Sequence, residues 1–561
     1  MIFDLTQRGI AIPAGKLTAQ EFTRLKGRLT VKHMGFGDRL QTMQCFTIDR
    51  KSRVMYVARM RGIMELAKMG HEIAPKFPVG DPLSADVSGV KLTLKDYQVP
   101  ILKYLTEKAY SDAAVALGVA SCYLDLQPGK GKTYIIMKLI QHFGCKTLFV
   151  VPGKELVVQT LATLREMFPM LTIGEYWSKS KTDGDIVVMT TRSAASMDEY
   201  TFKGVDGKKQ TLTAQAYFAR FGFSAFDEVH TYCTKEYQEI FMRAACRYTF
   251  GCSGTSAERE DKMDEVSYMH IGTPVAGAKL MAPVIARQLA DAAAAGVAPP
   301  VEFKLEAYCL KYNGPVEFTE SLTSKAGTVS CAKMVSQFSK DPWRSQWLVE
   351  VIRKCVADGH QVFVLLDRTE LCKLAWDYLS TAFTVAELAM TPGVRAAGII
   401  TGKTKDKERS VARKSRVIIG TYQCIGTGLS YDEFSAIVFW HPRKNKFRQF
   451  LNRIFRENGD RGRSRVAYYL QDNATSLKSQ YAGYRKTCQA ERNVTPTIIT
   501  RDWTDIIVTA EVKKISDDFI KWDAEHQQAM RDRENGDGKK KDQSSDEESS
   551  DSDEELDEGL D

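Results

Sequence analysis

Short, almost wholly apolar runs alternate with helically spaced segments along most of this chain, and they do so twice. Between residue 119 and about residue 270 the runs 119–126, 147–151, 185–189, 221–226 and 248–252 each end in polar or small residues. Apolar positions three and four apart separate them, as at Ile135, Ile136, Leu139 and Ile140. Such runs read as strands buried on both faces, and their alternation with helices predicts a parallel α/β layer. A second series follows: strands at 301–310, 361–366, 417–420 and 436–440, with helices at 347–358 and 370–379. Ahead of both, β-like runs at 44–48 and 53–58 flank the turn-prone Asp49-Arg50-Lys51-Ser52, which reads as a hairpin, and 62–69 is helical. The Pro-, Gly- and Asp-rich 71–90 reads as a linker. In the Ala-rich stretch 276–295, Pro283 is expected to break or start a helix. Residues 501–530 give a last strand and helix.

The expected architecture is therefore α/β. It has two tandem parallel-sheet domains (86–275 and 301–495) joined by a linker or insertion at 276–300. A small α+β domain (1–85) precedes them, and an extension (496–538) and an acidic tail (539–561) follow. At 561 residues the chain exceeds what one core can organise. It has no 18-residue uncharged apolar run, and its first ten residues carry an early acid, so neither secretion nor membrane spanning is expected and an intracellular protein is.

Charge sharpens this picture. The formal balance is +8, but residues 542–561 hold eleven acids and no base. Without those eleven, 78 basic residues face 59 acidic ones, a balance of +19 for the body. A body that basic suits a polyanionic partner, since each phosphate contact releases counterions. Arg24, Lys26, Arg28, Lys32, Arg50, Lys51, Arg53, Arg59, Arg61 and Lys68 make the first 85 residues basic, which fits a duplex-gripping domain and a solvated packing module equally well. The tail's composition forms no packed core, and Ser544, Ser545, Ser549, Ser550 and Ser552 lie among acids as acid-directed phosphorylation would require. The twelve cysteines lack metal-ligand spacing and read as free thiols in a reducing compartment.

Chemistry concentrates at strand ends. The run 119–126 leads into Gln127-Pro128-Gly129-Lys130-Gly131-Lys132-Thr133 and then a helix. Glycines let backbone N–H groups turn onto a phosphate, Lys132 can reach its terminal oxygens and Thr133 can hold Mg²⁺. Leu126 stands where the full phosphate-loop pattern has its first glycine, and a rival triplet, Gly402-Lys403-Thr404, lacks the preceding loop. The strand at 221–226 ends in Asp227-Glu228-Val229-His230, where Asp227 suits a metal and Glu228 a water to be polarised. Gln98, about thirty residues before the loop, offers the donor and acceptor that an adenine edge needs. Ser253 and Thr255, after the strand 248–252, can sense a nucleotide's state. Gln449, Arg453 and Arg456, spaced four and three apart, would share one helix face; two guanidiniums there suit a transition state rich in negative charge, though a solvated basic face has the same spacing.

Taken in order, Tyr97-Gln98, 127–133, Val151-Pro152, Asp227-Glu228-Val229-His230, Ser253-Gly254-Thr255, 421–428 and 449–456 resemble the motif series of the superfamily 2 helicases, over roughly residues 92–475. The resemblance implies two RecA-like domains with ATP bound between them. It assigns Gln98 to adenine, Gln127, Pro128, Gly129, Lys130, Gly131, Lys132 and Thr133 to the phosphates, Gly428 to the nucleotide, and Thr133 with Asp227 to Mg²⁺. Glu228 would serve the water, and Arg453 and Arg456 would be arginine fingers with Gln449 beside them. His230, Ser253 and Thr255 would couple hydrolysis to movement, and Pro152, Lys154, Thr190, Arg192, Gly402 and Thr421 would grip a nucleic-acid backbone. Asn452 and Gly254 depart from the family's usual Gly and Ala. The turn Trp440-His441-Pro442-Arg443-Lys444-Asn445, and Glu258, Arg259, Met263 and Asp264 after the Ser253 motif, are similar to helicases of large nucleocytoplasmic DNA viruses, the group of the poxvirus transcript-release helicase. That likeness implies a DNA-dependent ATPase packaged in virions and working at the host cell's transcription or replication site, with RNA polymerase or transcription factors as partners of the tail. An RNA helicase, and a non-hydrolysing scaffold of the same fold, are the alternative readings.

Overall fold

The computed structural model describes the whole chain except residues 35–39, 128, 179, 255–261, 296–302, 324–328, 384–396, 403, 405, 413, 427–432, 444–445, 456–458, 461, 474 and 538–561. The acidic tail and the residues Pro128, Thr255, Gly428 and Arg456 thus lie outside the described residues. Two units divide at residue 300.

In the first unit the expected hairpin forms, Phe46–Asp49 antiparallel to Val54–Val57. It is one edge of a five-stranded sheet that continues through Gly9–Pro13 and Ile2–Thr6 to Glu72–Pro75. Helices Ala19–Arg28 and Arg59–Lys68 pack on it, the former started by a capping box in which Thr18 and Glu21 bond each other's backbone. The segment read as a linker is bonded structure. Glu72–Pro75 pairs parallel with Ile2–Thr6, and the Ser84 N–H and hydroxyl donate to Asp185 at 2.7 and 2.8 Å. Its prolines and glycines end the strand without freeing the chain. Leu5, Ile10 and Val57 from this sheet and Leu66 from its second helix share one hydrophobic cluster with Tyr123, Leu148, Val150 and Phe226 of the layer that follows.

That layer is a ten-stranded sheet whose parallel core runs, in spatial order, Ile173–Trp177, Ile186–Thr190, Thr147–Val151, Phe223–Asp227, Tyr248–Ser253, Ser121–Asp125 and Pro274–Ala276. Thr147–Val151 is buried at every position, which explains its unbroken apolar reading. Pro283 does not break its helix: Gly277–Ala294 runs through it. Pro283 lies on the exposed side, where the carbonyl that loses its N–H partner can turn to water.

The second unit is a seven-stranded sheet, parallel in every pairing, in the order Ala397–Ile400, Val417–Thr421, Val362–Leu366, Ala436–Phe439, Arg465–Asp472, Leu305–Asn313, Thr497–Asp502. Helices Pro342–Ala357 and Thr369–Ala382 cover one face, and the long Ala510–Asp537 helix lies against both. Among the described residues no helix is long and apolar enough to cross a membrane.

Candidate nucleotide site

Parallel strands place their carboxyl ends on one edge, which is where an open α/β sheet receives ligands. Along that edge of the first unit lie, as neighbours, Asp227 ending Phe223–Asp227, Ser253 ending Tyr248–Ser253, and the loop leaving Ser121–Asp125. The loop enters the helix Lys132–Phe143 through Gly131, which has φ +79° and offers no side-chain cap. The first-turn N–H groups of that helix are therefore open to an anion. Gly129 has φ +81° with open space where a Cβ would be, so its requirement is purely conformational. At Gly131 a Cβ would also fall 2.2 Å from Gln98 Nε2. Gln98 is buried, donates from Nε2 to the Lys130 carbonyl at 2.9 Å, and accepts from the Lys95 N–H at 2.9 Å. It braces the glycine loop directly, a contact that its spacing in sequence did not disclose.

Lys132 Nζ donates to Glu228 Oε1 at 2.6 Å and stands 3.9 Å from Asp227 Oδ1. Burial by itself would lower the ammonium's pKa; the two carboxylates outweigh it and hold Lys132 protonated above its ordinary range. Asp227 moves up instead, because burial and the neighbouring Glu228 charge outweigh the help from Lys132. Two carboxylates thus share one ammonium, and the leftover negative charge, with the Thr133 hydroxyl on the adjoining helix, fits a divalent cation such as Mg²⁺. Glu228 itself sits in the left-handed region (φ +48°), a conformation that costs energy for any residue with a Cβ. It is held there by the Thr231 N–H and hydroxyl, which donate to its carbonyl at 2.9 and 2.8 Å. The Tyr232 hydroxyl fixes the preceding carbonyl of Asp227 at 2.6 Å.

His230 Nδ1 lies 2.7 Å from Ser253 Oγ and 3.5 Å from Glu228 Oε2, and the Leu126 N–H donates to the Ser253 carbonyl at 2.9 Å. Glycine loop, acidic pair and Ser253 strand therefore form one bonded unit. Further along the edge, Pro152 follows Thr147–Val151, and exposed Lys154 sits over the Trp177 ring at 5.5 Å. Thr190 caps a short helix by accepting from the Ser193 N–H, with Arg192 exposed beside it.

In the second unit Thr421 ends Val417–Thr421, buried, its hydroxyl accepting from the Cys424 N–H, while Gly402 is exposed after Ala397–Ile400. Of the helix face expected to carry Gln449, Arg453 and Arg456, only the first two residues are described, and they do not share one α-helix. The helix Phe447–Leu451 ends after Gln449, and Arg453 lies in a tighter turn closed by Arg453 N–H to Phe450 and Ile454 N–H to Leu451. Bonds of that i→i+3 kind rotate successive side chains away from the α-helical register. Sequence reasoning also missed Tyr232, which nothing in the polar segment around it singles out.

The edge thus presents a strand–glycine loop–helix beside a lysine-paired acidic couple, and known proteins share its sequence. Residues 91–258 match the family model described as "Type III restriction enzyme, res subunit". Over that segment and beyond it the chain is similar to proteins named as helicases. A protein of African swine fever virus named as an ATP-dependent RNA helicase is 24% identical over 375 residues, 64% of this chain and 66% of its own length. The chain thus spans just under two thirds of the length of that relative. A protein of Invertebrate iridescent virus 6 named as a helicase is 21% identical over 79% of this chain and 92% of its own, and one of Escherichia phage T5 named likewise is 24% identical over 57% and 60%. Among solved structures, T4 UvsW covers 87% of this chain and 96% of its own at 14% identity with a TM-score of 0.29. S. cerevisiae Dbp5 covers 76% and 98% at 13% with a TM-score of 0.43. Those scores are too low to bear on the fold, and the two-sheet architecture stands on its own strand order.

Proposed function

We propose that this chain is an ATP-driven motor that translocates along or unwinds DNA, serving viral transcription or repair. The observation that carries the reading is the Lys132 ammonium set between Asp227 and Glu228 at the mouth of a glycine loop. In this reading the loop from Gln127 to Thr133 binds the ATP phosphates and Gln98 and Gly428 the rest of the nucleotide. Thr133 and Asp227 hold Mg²⁺, which neutralises phosphate charge when bound. Glu228 orients and deprotonates the attacking water, and Lys132 stays charged beside it for the terminal phosphate. Gln449, Arg453 and Arg456 are the second unit's contribution to hydrolysis. His230, Ser253 and Thr255 transmit the state of the acidic pair, and Pro152, Lys154, Thr190, Arg192, Gly402 and Thr421 contact a nucleic-acid backbone. Residues 86–275 and 301–495 act as the two motor domains, and the acidic tail recruits transcription proteins.

The basic body supports nucleic acid as the track, and phosphate contacts carry no sequence information, so little sequence preference is expected. A second reading, RNA as the track, is favoured by the name of the African swine fever virus relatives. ATP turnover measured with single-stranded DNA, duplex DNA and RNA at one stated salt decides between them. Stimulation by DNA supports the proposal, RNA-only stimulation reverses the choice of track, and no stimulation by any of the three rejects a nucleic-acid motor.

A further inference from the structure

We propose that Arg24, Arg28 and Lys68 form a prearranged grip for the backbone of duplex DNA on the N-terminal sheet, away from the nucleotide edge. The inference rests on the reading that the chain acts on nucleic acid. Its basis is Glu65, whose side chain is 1% exposed although it lies on a surface helix. Lys68 Nζ lies 3.0 Å from its carboxylate, Arg28 Nε 3.5 Å and Arg24 Nη2 4.0 Å. Burial would raise this carboxyl; Lys68 and then Arg28 reverse that and keep it ionised. One cation suffices to neutralise one carboxylate, and exposed ion pairs add little stability. Three cations converging on one buried anion instead leave two positive charges in excess, while their own side chains stay 54%, 54% and 49% exposed. Arg28 engages through Nε, which leaves both its Nη groups to an outside acceptor. The buried carboxylate thus restrains three long side chains before any partner arrives, which lowers the ordering cost of binding.

The same helix fixes the cluster to the motor. Arg59 opens the helix that carries Glu65 and Lys68, and its guanidinium is buried among backbone acceptors. It donates to the carbonyls of Gly118 at 2.8 Å, Cys246 at 3.0 Å and Arg247 at 3.2 Å, and lies over the Phe77 ring at 4.5 Å. These carbonyls immediately precede Ser121–Asp125 and Tyr248–Ser253, the strands that carry the phosphate loop and Ser253 at their far ends. A ten-residue helix, about 15 Å long, therefore joins the grip to the sheet as a strut. The partner's chemistry follows from the cluster: its members are two arginines and a lysine around a carboxylate, point charges that meet phosphates and not base edges. Fixed cations alone suit the dense phosphate charge of a duplex.

The test is fluorescence anisotropy of a labelled duplex DNA with the full chain, titrated over a range of salt. Arg24→Ala, Arg28→Ala and Lys68→Ala are combined with Glu65→Gln, so that no buried carboxylate is orphaned, and a melting curve checks folding. Each phosphate that a cation neutralises adds ~0.9 to the slope of log affinity against log salt, so that slope is expected to fall by about 2 to 3. ATP turnover in the absence of DNA is expected to stay unchanged. Glu65→Gln alone adds net positive charge yet is expected to weaken binding severalfold, because the cations lose their anchor. An unchanged slope in the combined variant, tighter binding in Glu65→Gln, or a loss confined to single-stranded DNA would overturn the grip. Wild-type protein that shows no salt-dependent DNA binding at all would instead overturn the reading of DNA as the track beneath it.

Discussion

Asp472→Asn tests how the second unit supports its motifs. Arg344 and Asp472 are 0% and 1% exposed and meet as a fork, Nε to Oδ1 at 2.8 Å and Nη2 to Oδ2 at 3.1 Å. Arg344 Nη2 also donates to the Trp440 carbonyl at 2.7 Å, which fixes the Trp440–His441 turn, and the Tyr422 hydroxyl donates to the next carbonyl at 2.6 Å. Asparagine keeps one acceptor, turns an N–H₂ toward the guanidinium and deletes the charge. Removing one partner of a buried pair costs about 3–5 kcal/mol. Asp341, which accepts from the Arg344 N–H at 3.0 Å, is a second carboxyl nearby. Burial pushes its pKa up to about 6, so at neutral pH it is largely ionised and makes good part of the loss. That argues for the lower end, about 3 kcal/mol, or roughly 6–12 °C in the melting of a unit this size. Scanning calorimetry of the full chain, with limited proteolysis to assign the transitions, measures it. Arg344→Met with Asp472→Leu removes both charges and should stay within about 2 kcal/mol of wild type. A shift below 2 °C in Asp472→Asn (~1 kcal/mol or less), or a double variant as damaged as the single, would refute the reasoning.

Three further outcomes follow from the same geometry. Asp341 is a carboxyl whose folded pKa lies above its ordinary 3.8, so its contribution is full below pH 3.8 and lost as the pH rises through about 6. Raising a carboxyl from 3.8 to about 6 corresponds to about 3 kcal/mol, and Asp341→Asn should flatten the second unit's melting temperature between pH 4 and 7. Asp227 is raised as well, so its charged form costs stability at neutral pH; Asp227→Asn should melt higher, by about 0.5–2 kcal/mol, while ATP turnover disappears, and a lower melting temperature would count against it. Gly131→Ala should cut turnover at least ~10-fold, since its Cβ meets Gln98 Nε2 at a left-handed φ, and adding Gln98→Ala should recover only the steric part.

Buried parallel strands were the most legible elements, because both faces of Thr147–Val151, Val417–Thr421 and Ala436–Phe439 are covered and no charged residue interrupts them. The strands at the outer side of the first sheet, Glu199–Lys203 and Lys209–Thr213, went unread because they are half exposed and mix polar with apolar positions. The motifs singled out Lys132, Asp227 and Glu228 because they follow apolar runs that give way to polar residues, and the structure brings both carboxylates within 4 Å of the Lys132 ammonium. Long-range contacts left no such mark. Nothing local says that Gln98 braces the loop at Lys130, that Arg59 plugs the far end of the ten-stranded sheet, or that Glu65 lies buried beneath three cations. The helix face drawn through Gln449 and Arg453 failed because periodicity cannot register a helix that ends early in an i→i+3 turn.

The central claim is that Lys132 and Glu228 form the working pair of an ATPase. Steady-state ATP turnover and equilibrium nucleotide binding, measured on wild type, Lys132→Ala and Glu228→Gln, test it most directly. Both variants should lose turnover by at least ~10³-fold, with Glu228→Gln still binding ATP as tightly as wild type. Turnover near the wild-type rate in either variant would contradict it.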